Sequence, residues 1–67
     1  MDIRRRVGLA IQKLRTEKGW SQEELADRAG VHRTYVSGVE RGVRNPTITA
    51  LEKIASGLGV KIGVLTD

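Results

Sequence analysis

Two short helical segments, Ser21–Ala29 and Arg33–Arg41, stand on either side of Gly30. Nothing else in the 67 residues limits the possible fold as much. Ser21 followed three residues later by Glu24 has the form of a capping box, and Trp20, just before the cap, is placed to staple onto Leu25 at the fourth helical position. Leu25, Ala26 and Ala29 fall on one face, and Gly30 is a natural left-handed stop. In the second segment the spacing turns Val36 and Val39 inward and leaves Arg33, Thr34, Ser37 and Gly38 facing out. A glycine and several β-branched residues make this segment a poor helix in isolation. It must be held by packing against its neighbour and so reads as a presented surface.

The flanking sequence supplies that packing. A first helix is predicted from Ile3 to Lys18, with Val7, Ile11 and Leu14 on an inward stripe and Gly19 as its stop. Val43–Pro46 reads as a loop. Thr47 is the expected cap of a fourth helix whose stripe is Ile48, Leu51, Ile54, Ala55 and Leu58, closed by Gly59. Val60–Leu65 fits one more short helix. The expected fold is therefore all-α: a compact five-helix bundle in a single domain, residues 1–67, with no internal repeat, linker or low-complexity segment. Hydrophobic residues make up 39% of the chain, but Trp20 and Tyr35 are its only aromatics. The core must be aliphatic, which suits packed helices better than a ligand cavity.

Several function classes have little to stand on. The chain has no cysteine and a single histidine, His32, which removes disulfide staples, thiolate or multi-histidine metal sites and cysteine nucleophiles. No Gly-rich phosphate loop follows a strand, and no nucleophile, base and carboxylate are spaced to assemble locally. Neither an enzyme nor a cofactor is expected. There is no apolar run of bilayer-spanning length and no signal-peptide pattern, so a cytoplasmic, membrane-free protein is expected. The net charge of +4 biases so small a chain toward polyanions, though position must decide what that charge does.

The spacing of the two central segments is that of a helix-turn-helix, with Ala26, Gly30 and Val36 where close packing needs compact residues. The major groove of DNA, about 12 Å wide, admits one α-helix and displays a distinct donor and acceptor pattern for each base pair. A helix offered to it needs polar groups on its N-terminal outer face, the place of Arg33 and Thr34. The segments KLRTEKGWSQEELADRAGV, RTYVSGVERG and RNPTITALEKIASGLGV resemble the XRE, or lambda-repressor-like, helix-turn-helix regulators. HRTYVSGVERGVRNPTI is most similar to the controller proteins of restriction–modification systems.

That resemblance implies a transcriptional regulator that binds double-stranded DNA. It implies that Gln22 binds a backbone phosphate and that Arg33 and Thr34 reach base edges, Arg33 on guanine. It also implies that Tyr35 and Ser37 touch the backbone or a base edge, and that Arg44 and Asn45 lie along the flanking phosphates, with Arg44 able to enter the minor groove. Arg15 and Glu40 match positions that form a partly buried salt bridge in the family. The bland readings are solvated helix surface for Arg33 and Thr34, half-buried packing for Tyr35 and turn residues for Arg44 and Asn45. For the run Arg4–Arg6 a solvated face is expected, and for His32 a makeshift cap or a ring in solvent.

Glu23 and Asp27, four apart on the second helix, read as an ordinary wet acidic surface or as a contact for RNA polymerase. Leu58, Val60, Ile62 and Leu65 are the candidates for a homodimer interface within residues 58–66, since so short a chain is not expected to cover them all. Two copies would place their recognition helices in successive major grooves of a palindromic operator. The competing class is an antitoxin or other protein-interaction module built on the same fold.

Overall fold

The computed structural model describes residues 2–67, and three of its helices begin on a side chain able to accept a backbone N–H. The helices are α1 (Ile3–Glu17), α2 (Gln22–Ala29), α3 (Arg33–Glu40), α4 (Ile48–Leu58) and α5 (Ile62–Thr66), with no strand among the described residues. Asp2 accepts the Arg4 amide at 2.8 Å, Ser21 Oγ the Glu24 amide at 3.0 Å and Thr47 Oγ1 the Ala50 amide at 3.1 Å. Each such cap contributes about 1 kcal/mol. α3 starts at His32 and α5 at Lys61 without a side-chain cap. Both depend on packing.

The reciprocal half of the expected capping box is not made. Glu24 Oε2 instead accepts from Arg28 Nε one turn along, at 2.7 Å. The Arg28 guanidinium also lies 4.1 Å from the centre of the Trp20 ring, with Lys18 Nζ 5.2 Å from the same centre. Arg28 thus draws the Glu24 carboxylate forward along α2, away from the cap. Trp20 is half-buried and packs against the core that holds Leu25.

α2 ends where Gly30 takes a left-handed conformation, φ 70°, ψ 33°. The Val31 amide then reaches back to the Ala26 carbonyl at 3.0 Å, a Schellman closure that turns the chain sharply into α3. α2 packs on α3 and α4, and α1 packs across α3 and α5. At the centre Ile11, Leu25, Val36, Val39 and Ile54 are fully buried.

Packing departs from the sequence-based expectation at four positions. Ile48, assigned to the inward face of α4, is 67% exposed because it is the first residue of its helix, beyond the edge of the core. Gly38, expected to face out, is buried beneath the Arg44 side chain. Leu58 and Leu65, offered as dimer contacts, are 1% and 2% exposed, because α5 folds back on α1 and α4 and uses both to close the chain's own core. Val64, not among the candidates, is 52% exposed on the outside of α5, while Val60 and Ile62 are half-buried.

Two contacts fix how α1 meets α3. Gly8 is buried where the end of α3 crosses α1: a Cβ there would collide with the Val39 carbonyl oxygen and come within 2.7 Å of that of Glu40. Beside this crossing, Arg15 Nε and Nη2 donate to the two carboxylate oxygens of Glu40 at 2.7 and 3.0 Å, and Arg15 Nη1 donates to the Trp20 carbonyl at 2.7 Å. The two side chains are only 11% and 3% exposed, and the carboxylate raises the Arg15 guanidinium pKa above its ordinary value.

Helix propensity alone would make Gly8→Ala stabilising by about 1 kcal/mol. The backbone collision should instead make it destabilising by about 2 kcal/mol, read as a lower thermal midpoint. Glu40→Ala strands a buried guanidinium and should lower unfolding stability by about 3 kcal/mol in a urea titration. An unchanged denaturation midpoint would show that this pair does not hold the helices together.

Candidate nucleic-acid interface

α3 carries few of its own stabilising groups, so its outer face is set by what holds its inner one. Val36 and Val39 anchor it to the core and Glu40 ties its C-terminal end to α1. Arg33, Thr34, Ser37 and Arg41 then share the face turned away from the core, and Arg33, Thr34 and Arg41 are exposed there. Two open grooves flank this ridge and meet at Thr34. One, between the starts of α2 and α3, is bordered by Gln22, Glu23, Arg33, Thr34 and Ser37. The other, between α3 and the loop before α4, is bordered by Thr34, Tyr35, Arg41, Arg44, Asn45 and Thr47.

The structure therefore gathers Gln22, Arg33, Thr34, Tyr35, Ser37, Arg44 and Asn45 along one surface. Within it, each residue has a specific setting. Gln22, at the first position of α2, is half-buried and donates through Nε2 to Glu40 Oε1 at 3.1 Å. Its other amide hydrogen and its carbonyl oxygen are left for an outside partner. Arg33 reaches out, and its Nη1 lies 3.6 Å from Glu23 Oε2 in a pair exposed on both sides. Such a pair contributes little and yields readily to a better acceptor.

Thr34 Oγ1 is 3.3 Å from His32 Nδ1, so the histidine leans on the threonine and caps no backbone amide. Tyr35 packs its ring against the core edge, and the Arg44 guanidinium carbon sits 5.6 Å from the ring centre. Asn45 is exposed at the turn into α4. Arg41, which caps the end of α3 and donates from Nε to the Ser37 carbonyl at 3.3 Å, was not among the expected site residues. Its position four residues after Ser37 and eight after Arg33 was the available signal.

Two arginines of the run Arg4–Arg6 are otherwise engaged. Arg4 pairs with Asp2 at 2.8 Å, and Arg6 Nη2 donates to the Asp67 carbonyl at 3.0 Å. Glu23 and Asp27 are both exposed on α2, but Glu23 shares the Arg33 groove. Among the described residues no group of three or more His, Asp or Glu is placed to hold a metal ion, and no helix is long and apolar enough to cross a membrane.

The chain is 48% identical over 60 residues to an uncharacterised HTH-type transcriptional regulator, y4dJ, of Sinorhizobium fredii, covering 90% of this chain and 78% of that one. It spans only 56% of the length of some other regulators it matches. Among solved structures it superposes on the restriction–modification controller protein C.AhdI of Aeromonas hydrophila with a TM-score of 0.90 and 42% identity, covering 92% and 94% of the two chains. The controller protein C.Esp1396I, in a tetramer bound to its natural 35-base-pair operator, matches with a TM-score of 0.88 and 45% identity over 97% of this chain and 86% of that one. The helix-turn-helix family pattern covers residues 11–65, and with that extent and these likenesses the chain belongs to the helix-turn-helix family.

Proposed function

We propose that the chain is a sequence-specific, double-stranded-DNA-binding transcriptional regulator, acting as a homodimer in the manner of an autoregulatory restriction–modification controller. The observation that carries this reading is the polar N-terminal face of α3, projecting between two grooves bordered by Gln22 on one side and Arg44 on the other. The kinship with controllers, one of them crystallised on its operator, supports the choice of DNA as partner. Arg33 and Thr34 read base edges; Gln22, Tyr35, Ser37, Arg44 and Asn45 hold the backbone. The work is recognition without catalysis, and the place of action is the cytoplasm.

Size supports the dimer. The molecule measures 27 × 22 × 22 Å and presents one recognition helix. Successive major grooves on one face of a duplex are about 34 Å apart, so a palindrome read in both grooves requires two copies. With Leu58 and Leu65 inside the monomer, the second copy meets Val60, Ile62 and Val64 around α5.

We extend the reading to RNA polymerase through the exposed acids of α2. Glu23 touches Arg33, so removing it alters DNA recognition directly, and Asp27 is the cleaner probe. Asp27→Ala should bind the operator as the wild type does and activate transcription less. Equal activation in a reporter assay would remove polymerase from the partners.

A gel shift on DNA immediately upstream of the gene, at two salt concentrations and against unrelated competitor, tests the main reading. Specific, cooperative binding is expected. Arg33→Ala should weaken it by about 1–3 kcal/mol and relax preference at one base pair, whereas Arg44→Ala should weaken all sequences alike and reduce the salt slope by about 1. A wild-type chain that shifts no DNA would turn the search toward a protein partner.

A further inference from the structure

A glycine in the middle of a helix is unfavourable, and α3 is already short and uncapped. Gly38 nevertheless stands at its sixth residue. Neither the aliphatic core nor a neighbouring helix demands it there. The neighbour that would meet a side chain at this position is Arg44: a Cβ would lie 2.8 Å from its Cγ, 3.2 Å from its Cδ and 3.4 Å from its Nε. The middle of the Arg44 stem, Cγ and Cδ, crowds the space that any other residue's Cβ would fill.

The same glycine also holds the Arg44 backbone. Its carbonyl accepts the amides of both Val43 and Arg44, at 3.0 and 3.1 Å, which fixes the first two residues of the loop after the helix cap. Arg44 is therefore held at its backbone by one atom of Gly38 and along its stem by the absence of another. Its guanidinium is delivered back along α3 to the Tyr35 ring, 5.6 Å from the ring centre, and so borders the groove that also holds Thr34, Arg41 and Asn45. A long side chain held in one direction before binding loses less conformational freedom when it meets its partner.

We propose that Gly38 is a positioning residue for operator binding. By presenting no side chain it lets Arg44 lie across the recognition helix and aims the guanidinium at a phosphate flanking the bases that the helix reads. This rests on the DNA-binding reading above and adds a residue that contacts no nucleic acid itself. It also explains why a weak helix carries its weakest residue at this point.

The test compares wild type, Gly38→Ala, Arg44→Ala and the double variant, each measured while folded. Gly38→Ala should melt near the wild-type midpoint, because alanine's gain in the helix offsets the cost of turning the Arg44 side chain aside. It should bind the operator roughly tenfold less tightly at about 0.1 M salt, with a log–log salt slope shallower by about 0.9, the loss of one phosphate contact. In the Arg44→Ala background the same substitution should change neither quantity. In the free protein the Arg44 δ-protons should be shifted upfield by the Tyr35 ring and should lose that shift in Gly38→Ala.

Wild-type affinity in Gly38→Ala, or an equal loss with and without Arg44, overturns the proposal. A δ-proton shift retained in Gly38→Ala overturns the positioning even if DNA binding is weakened. A wild type that binds no duplex overturns the DNA reading and the proposed role with it, and the proton shifts then show whether the geometry itself stands.

Discussion

One carboxylate holds the presented helix in place. Glu40, at the last turn of α3, accepts two hydrogen bonds from Arg15 of α1 and one from Gln22 at the start of α2, while Arg15 also holds the Trp20 carbonyl. A carboxylate at a helix C-terminus opposes the helix dipole, and burying it is costly. Here three donors offset those costs, and in doing so they join three elements that the core alone would leave free to slide. The bidentate fork also sets direction, because a guanidinium matches a carboxylate in one plane only. α3 is intrinsically weak, so its angle to α2 is fixed from outside the helix. Gln22 is positioned by the same carboxylate, so the first residue of α2 and the ridge of α3 share one reference point.

Much of this was legible in the sequence, and the reasons are local. The Ser21 cap, the Gly30 closure and the inward residues Leu25, Ala26, Val36 and Val39 follow from short-range rules, and the structure has them in place. What was not legible depended on groups distant in sequence. Glu24 leaves the cap for Arg28 because Trp20 draws Arg28 close. Gly38 is inside because a loop residue folds back over it. A helical stripe cannot distinguish Ile48 from Leu51, since only the edge of the core does so. Among the site residues, the clustering of Arg33, Thr34 and Ser37 came from helical spacing, but Arg41, read only as the end of that segment, was not placed on the face it continues.

The C-terminal segment shows how a chain of 67 residues without cysteine completes a core. α5 is only five residues long, yet it packs on α1 and α4, and Leu65 joins Leu58 in the buried core. A small core gains more from two fully buried leucines than from leaving them for a partner, since each contributes about 1.5–3 kcal/mol when fully buried. The same helix still turns Val64 outward. One short helix therefore both closes the monomer and presents an apolar outer edge, a division that the sequence pattern of alternating apolar residues does not reveal.

The distribution of ion pairs explains how a modest net charge can serve recognition. Arg4, Arg15 and Arg28 each have a carboxylate partner at 2.7–2.8 Å, and all three lie on α1 or α2, away from the outer ridge of α3. On that ridge the pairing loosens. Arg33 has its partner at 3.6 Å, and among the described residues Arg41 and Arg44 have no acidic group within salt-bridge distance. Pairs of the first kind add little to the field felt by an approaching polyanion, because each cation is neutralised within a few ångströms. Loosely paired or unpaired guanidiniums keep their field. Arg33, Arg41 and Arg44 thereby keep their field beside Thr34 and Tyr35, while Arg15 serves the frame that holds those residues still.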